Sequence, residues 1–103
     1  MDYQTFKNKA NQLLEERKKL DINDPTVDKH WERISEHFAT SEEFTITFLE
    51  NSDLDTTQWV SEVFEDISEK LKSQNYIDCL DRLLEKFPDQ HLEHPVKVAK
   101  NFM

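Results

Sequence analysis

The stretch WVSEVFEDISEKLKSQNYIDCLDRLLEKFP, residues 59–88, decides the fold of this chain. Its apolar residues recur every three or four positions, first over residues 59–71 and again over residues 76–87, with charged residues between them. This spacing places the apolar side chains on one face of an α-helix. Ser73 is a favourable N-cap for the second run, and Pro88 ends it. The stretch therefore predicts two amphipathic helices that meet at Ser73.

The first of these two helices is predicted to be continuous over residues 55–73. Asp55 and Gln58 have the spacing of a capping box, in which each side chain binds the backbone amide of the other residue. Neither glycine nor proline interrupts the pattern that follows them.

Three other segments carry helical signals. Residues 2–20 hold an apolar stripe at spacings of three, four and seven. Asp24 as N-cap and Pro25 at the first helical position introduce a second stripe, and Pro95 introduces a short last helix.

Residues 41–51 carry signals for two kinds of structure. Thr40 and Glu43 have capping-box spacing, which favours a helix, but Phe44, Ile46 and Phe48 alternate as they would in a strand. We expect a helix, because a lone strand among helices has no partner for its backbone hydrogen-bonding groups.

The chain has no glycine, which excludes the glycine-rich loops that bind phosphates and the glycine-dependent tight hairpins. With 103 residues it is long enough for one core and too short for two. The segments between the helical patterns are short, which favours antiparallel neighbours. We therefore predict one all-α domain over residues 1–103, a compact bundle of five or six short antiparallel helices.

The net charge of −9 bears on partners and location. Binding to DNA or RNA draws on Lys and Arg that neutralise phosphates, so we expect no nucleic-acid partner. No run of residues approaches the length of a membrane span, and residues 1–10 do not resemble a secretory signal. We expect a protein of the cytoplasm that has no membrane partner.

The sequence offers little for catalysis, cofactors or metals. Cys79 is the single cysteine and is expected to fill space on a helix. His91 and His94 stand near metal-ligand spacing, but no further signature completes a site. Asp81 and Glu85 could imitate an acid/base pair on a solvated helix face. We expect no enzyme activity, no cofactor and no metal.

One stretch of the chain is strongly acidic. Between Arg33 and Lys70 there are ten carboxylates and neither Lys nor Arg. On a straight helix over residues 55–73, Glu62, Glu65 and Glu69 share the face opposite the apolar residues, with Asp66 and Trp59 between the two arcs. Such a glutamate row is often only a solvated face, and a tryptophan at the edge of a stripe often belongs to the core. Surfaces that serve solubility alone usually mix both signs of charge, however.

The order of residues within positions 41–95 follows a known pattern. The residues that carry it are Trp59, Glu62, Phe64, Ile67, Lys70, Ser73, Tyr76, Ile77, Cys79, Leu80, Leu83 and the run EKFP at 85–88. This order resembles that of small all-helical immunity proteins of bacterial toxin systems, including contact-dependent growth inhibition. The resemblance implies a cytoplasmic bacterial protein that binds the toxic C-terminal domain of a cognate toxin, often a nuclease, and blocks its active site.

The acidic stretch predicts where such a partner would bind. A nuclease exposes Lys and Arg to attract phosphates, and carboxylates can occupy its cleft in their place. The alternative is an acidic adaptor module, or a nucleic-acid mimic that has no toxin partner. The candidate partner-binding residues are Asp53, Asp55, Trp59, Glu62, Glu65, Asp66 and Glu69.

Overall fold

A computed structural model describes residues 1–88 and 90–103 of the chain. Within these residues it contains seven α-helices and no β-strand, so the all-α prediction is confirmed and the prediction of five or six helices is wrong. The helices are α1 (Tyr3–Lys18), α2 (Val27–Phe38), α3 (Glu42–Glu50), α4 (Leu54–Ser61), α5 (Phe64–Leu71), α6 (Gln74–Lys86) and α7 (Glu93–Asn101).

The additional helix comes from a break in the acidic stretch. The predicted continuous helix over residues 55–73 is wrong, because α4 ends at Ser61 and α5 begins at Phe64. Val63 between them has φ −121° and ψ 14°, outside the helical region. The Ser61 hydroxyl donates to the Gln58 carbonyl at 2.5 Å, a bond that competes with the helical ladder at this end of α4.

Side chains cap four of the helices among the described residues. Each cap accepts a hydrogen bond from the backbone amide three positions later, which satisfies one amide that has no partner within the helix. The capping side chains are Asp2, Ser41, Asp53 and Ser73. The predicted cap at Ser73 is confirmed.

The predicted starts of α3 and α4 are wrong by one or two residues. α3 is capped by Ser41 rather than Thr40, whose hydroxyl instead donates to the His37 carbonyl of α2 at 2.6 Å. α4 is capped by Asp53, so Asp55 lies in its first turn. The helical prediction for residues 41–51 is otherwise confirmed.

Asp24 does not cap α2, contrary to the prediction. Its carboxylate accepts hydrogen bonds from the Thr26 amide at 2.8 Å and from the Thr26 hydroxyl at 2.6 Å, which closes a turn before the helix. Because α2 begins at Val27, Pro25 lies outside it.

All seven helices contribute side chains to one core. α1 packs on α2, α3 packs mainly on α6, and α5 packs mainly on α7 while it also contacts α2 and α6. The radius of gyration of 12.7 Å matches the roughly 13 Å of a compact chain of about this length. None of the described helices combines the length and the apolar character that crossing a bilayer requires.

Helix α5 lies at the centre of this packing. Phe64 and Ile67 of α5 and Tyr76 of α6 are fully buried, and each such side chain stabilises the fold by about 1.5–3 kcal/mol. The Tyr76 hydroxyl donates to the Phe64 carbonyl at 3.0 Å, and the Ser68 hydroxyl donates to the Ala99 carbonyl of α7 at 2.7 Å. These bonds fix α5 against both neighbours.

The end of α5 provides a test of the fold. Lys72 caps the helix in the left-handed region at φ 47° and ψ 51°, where a Cβ atom is crowded. Lys72→Gly is expected to raise the free energy of unfolding by about 1 kcal/mol, measured by urea denaturation. Lys70→Gly, within α5, is the matched control and should lower it by about 1 kcal/mol. Changes of the same sign in both variants would contradict this account.

Candidate partner-binding surface

Glu62 lies inside a hydrogen-bond network rather than on an open surface. The Arg17 guanidinium of α1 donates to both of its carboxylate oxygens, from Nε at 2.9 Å and from Nη2 at 2.8 Å. The Trp31 indole of α2 donates to Oε1 of the same carboxylate at 3.2 Å. Only 3% of Arg17 is exposed, so the pair lies at the edge of the core.

Trp59 belongs to the same network. The Arg17 guanidinium carbon lies 5.1 Å from the centre of the Trp59 ring, within the range of a cation–π interaction. Arg17 Nη1 also donates to the Leu20 carbonyl at 3.1 Å. Trp59 is partly buried against the core, as expected for a residue between the two arcs, and one face of its ring carries Arg17.

Asp53 and Asp55 stand together at the start of α4. Asp53 accepts the Thr56 amide at 2.8 Å, and this bond lowers the pKa of its carboxyl. Asp55 is largely exposed and lies 3.5 Å from the Lys18 ammonium of α1. The two carboxylates therefore serve the helix start and a surface ion pair.

The basic residues missing from the acidic stretch are supplied in part by distant segments. Arg17 pairs with Glu62, Lys18 with Asp55, and Arg82 of α6 with Glu50. Three of the ten carboxylates are thus paired within the chain. For those three carboxylates the counter-charge comes from within the chain and not from a partner.

The structure brings Asp66 and Glu69 together in a groove between α2 and α5. The groove has a volume of about 380 Å³, and among the described residues none of its charged groups forms an ion pair. It presents four carboxylates and one ammonium group around an indole. The lining residues are Asp28, Trp31, Glu32, Ser35, Asp66, Glu69 and Lys70, and we call this surface the α2/α5 groove.

The charges in the α2/α5 groove are unfavourable to one another. Burial raises the pKa of Asp66 above its ordinary value, Glu69 and Glu32 raise it further, and Lys70 opposes them. Because the pKa is raised in the folded state, ionised Asp66 lowers stability. This cost is absent below the ordinary pKa of an aspartate and is complete once the pH exceeds the pKa in the fold.

The remaining predicted residue, Glu65, lies one helical turn before Glu69 on α5. It lines a second groove of about 220 Å³, to which α7 contributes His94, Pro95 and Val98 and to which Glu62 also contributes. The straight-helix prediction that Glu62, Glu65 and Glu69 share one face changes at Glu62, whose carboxylate binds Arg17.

Sequence reasoning missed the contribution of α2 to the groove. Asp28 and Glu32 are four positions apart, which is the spacing of neighbours on one helix face, and Trp31 stands beside them. That spacing is a usable signal, but Asp28 and Glu32 precede Arg33 and so lie outside the acidic stretch that predicted the binding residues.

His37 and Cys79 pack within the fold, whereas His91 and His94 are exposed. His37 stacks on the Phe6 ring with 4.5 Å between ring centres, and burial raises the pKa of Cys79 to about 11. In the part of the chain that the structure describes, no group of three His, Cys, Asp or Glu side chains is arranged to hold a metal ion.

Comparison of the chain with protein-family models, with curated proteins and with solved structures finds no match in any of the three.

The Arg17–Glu62 pair can be tested by removing its acid. Glu62→Ala is expected to lower the free energy of unfolding by about 3 kcal/mol, because the Arg17 charge would stay in the interior without a partner. Chemical denaturation measures the change. Glu50→Ala is the matched control: about half of the Arg82 side chain is exposed to water, and the change should stay within about 0.5 kcal/mol. Equal losses in the two variants would contradict the buried pair.

The crowding of charge in the α2/α5 groove can be tested by titration. Glu69→Gln should bring the pKa of Asp66 closer to its ordinary value, because one negative neighbour is removed. The carboxyl ¹³C resonance of Asp66, followed by NMR against pH, measures it. Glu43→Gln on α3 should leave this pKa unchanged. An ordinary Asp66 pKa in the unmodified protein would show that the groove does not concentrate charge.

Proposed function

We propose that this protein is a bacterial immunity protein that binds the toxic domain of a cognate toxin. Its α2/α5 groove binds the basic residues of the toxin's active site and thereby blocks that site. The observation that carries the proposal is the groove itself. Its lining carries four carboxylates, the Trp31 indole and one ammonium group, that of Lys70. The chain as a whole has a net charge of −9.

The chemistry of a nuclease explains why such a groove would suit it. An active site that holds phosphates presents Lys and Arg, and carboxylates bind these groups through charge-assisted hydrogen bonds. A surface of opposite sign also accelerates encounter, since long-range attraction guides the two proteins together. Trp31 adds apolar area to the lining of the groove, and tryptophan is among the residues that most often anchor interfaces.

The unfavourable charge at Asp66 also supports a binding role. Burial raises the pKa of Asp66 most, and the neighbouring carboxylates of Glu69 and Glu32 raise it further, so ionised Asp66 lowers the stability of the free protein. A cationic partner would offset the repulsion among these carboxylates on binding.

The proposed contact residues differ in part from those that the sequence suggests. Asp66 and Glu69 remain, and Glu65 lines the second groove. Asp53, Asp55, Trp59 and Glu62 already make contacts within the fold. The residues added from α2 are Asp28, Trp31 and Glu32.

The resemblance of residues 41–95 to small immunity proteins supports the class of partner. All-helical folds are what that resemblance implies, and the described chain is all-helical. The identity of the toxin would follow from the gene upstream of this one, whose product is the natural first candidate for the partner.

The experiment measures binding of the protein to the C-terminal domain of that upstream product. Reversal of three charges, with Glu32→Lys, Asp66→Lys and Glu69→Lys together, is expected to slow association by at least about tenfold at low salt. It should also remove most of the salt dependence of the association rate, because the steering charges are gone. Stopped-flow fluorescence at several salt concentrations measures both effects.

A matched control reverses three acids elsewhere, with Glu43→Lys, Asp78→Lys and Glu85→Lys on α3 and α6. These changes alter the net charge equally and should leave most of the binding intact. Equal loss in both triple variants would mean that net charge, and not the groove, governs association. If the protein does not bind the toxin domain at all, the proposed function is wrong and an acidic adaptor or a nucleic-acid mimic becomes the better account.

A further inference from the structure

The break between α4 and α5 depends on one residue. Glu62 itself has nearly helical angles, φ −59° and ψ −24°, whereas Val63 has φ −121° and ψ 14°. The first bond of α5 runs from the Ile67 amide to the Val63 carbonyl at 3.0 Å. Of the two residues between α4 and α5, Val63 is therefore the one whose backbone departs from the helix.

Apart from the hydroxyl bond of Ser61 to the Gln58 carbonyl, the local sequence gives little reason for a break. Residues 54–71 contain no glycine and no proline, and a valine costs a helix less than about 0.7 kcal/mol. Val60, Val63, Phe64 and Ile67 are all at most 1% exposed. On a straight helix they would fall within an arc of about 100°, so burial of these four residues does not require the break.

The direction of Glu62 does require it. On a straight helix its side chain would lie about 160° from that of Val60, on the side away from the core. In the structure its carboxylate instead binds the buried Arg17 guanidinium and the Trp31 indole. The break and the Arg17–Glu62 pair occur together.

We propose that the Arg17–Glu62 pair holds this break, so that the junction of α4 and α5 has two states. In the broken state Glu62 is drawn to Arg17. In the straight state Arg17 has released Glu62, which then lies beside Glu65 and Glu69 within an arc of about 60°. Hinges at a few residues between elements, which absorb large changes of φ and ψ, are a common basis of conformational switching.

This two-state junction would add Glu62 to the acids of the α2/α5 groove that a partner can bind, a consequence that rests on the proposed function. In the broken state the Glu62 carboxylate is not available to a partner, because Arg17 binds it. A partner that offers its own arginine to Glu62 binds the straight state better and shifts the population toward it. Arg17 would then act as an internal competitor of the partner.

The experiment uses the free, full-length protein, so its outcome does not depend on any partner. Arg17→Met and Glu62→Gln are combined: Met fills the apolar space, Gln keeps an acceptor for the Trp31 indole, and no buried charge is left. We expect the Cα chemical shift of Val63 to move from a non-helical to a helical value.

Amide hydrogen exchange gives a second readout of the same variant. The amides of residues 64–66 stand at a helix N-terminus in the broken state, where no intrahelical carbonyl precedes them. In the straight state they gain the carbonyls of residues 60–62. Their exchange should slow by at least about tenfold in the double variant.

Two controls separate the pair from other causes. Lys18→Met with Glu65→Gln removes the same two charges from α1 and α5 and should leave the Val63 shift unchanged. Ser61→Ala removes the hydroxyl bond to the Gln58 carbonyl. If Ser61→Ala alone gives Val63 a helical shift, or the Arg17 and Glu62 double variant does not, the proposal is overturned.

A milder variant covers the case in which the double variant fails to fold. Arg17→Lys keeps the charge beside Glu62 but cannot donate to both carboxylate oxygens at once. The exchange of the amides of residues 64–66 should then slow measurably relative to the unmodified protein. Unchanged exchange in a folded Arg17→Lys protein also overturns the proposal.

Discussion

A guanidinium group in the interior is the constraint on which much of this structure depends. Arg17 is almost completely buried, and removing such a group from water costs several kcal/mol unless strong hydrogen bonds replace the lost hydration. Glu62 supplies two of these bonds, the Leu20 carbonyl supplies another, and the Trp59 ring covers the guanidinium. Because the Trp31 indole shares the Glu62 carboxylate, this one contact ties together α1, α2 and the junction of α4 with α5.

The Arg17–Glu62 contact shows that the carboxylates of the acidic stretch do not all have the same role. Some of its carboxylates belong to the architecture: Glu62 neutralises Arg17, and Asp53 caps α4. Others have no comparable use within the described chain and lie where α2 and α5 face each other, with Asp66 made less acidic by its surroundings. In most folds packing and electrostatics favour the same structure. Exceptions, such as a group of charges that destabilises the fold, are expected at functional sites.

The sequence was sufficient for features that depend on neighbours along the chain. Apolar residues at helical spacing predicted α1, α2 and α6, and the cap at Ser73 followed from its own side chain. Pro95 predicted α7, although that helix begins two residues earlier, at Glu93. The break at Val63 was not predictable in this way, because the residue that accounts for it, Arg17, lies 45 positions before Glu62. The α2/α5 groove was not predictable for a related reason, because its acids come from two segments that only the tertiary fold places side by side.

The single thiol of the chain lies in another part of the core, between α3 and α6. Cys79 has no exposed surface, its sulfur lies 4.0 Å from the Ile46 carbonyl, and burial keeps it protonated at neutral pH. A soluble thiol reagent can therefore reach it only during moments when these two helices separate. The rate at which the reagent modifies Cys79 would therefore measure how often α3 and α6 separate, without the introduction of a probe.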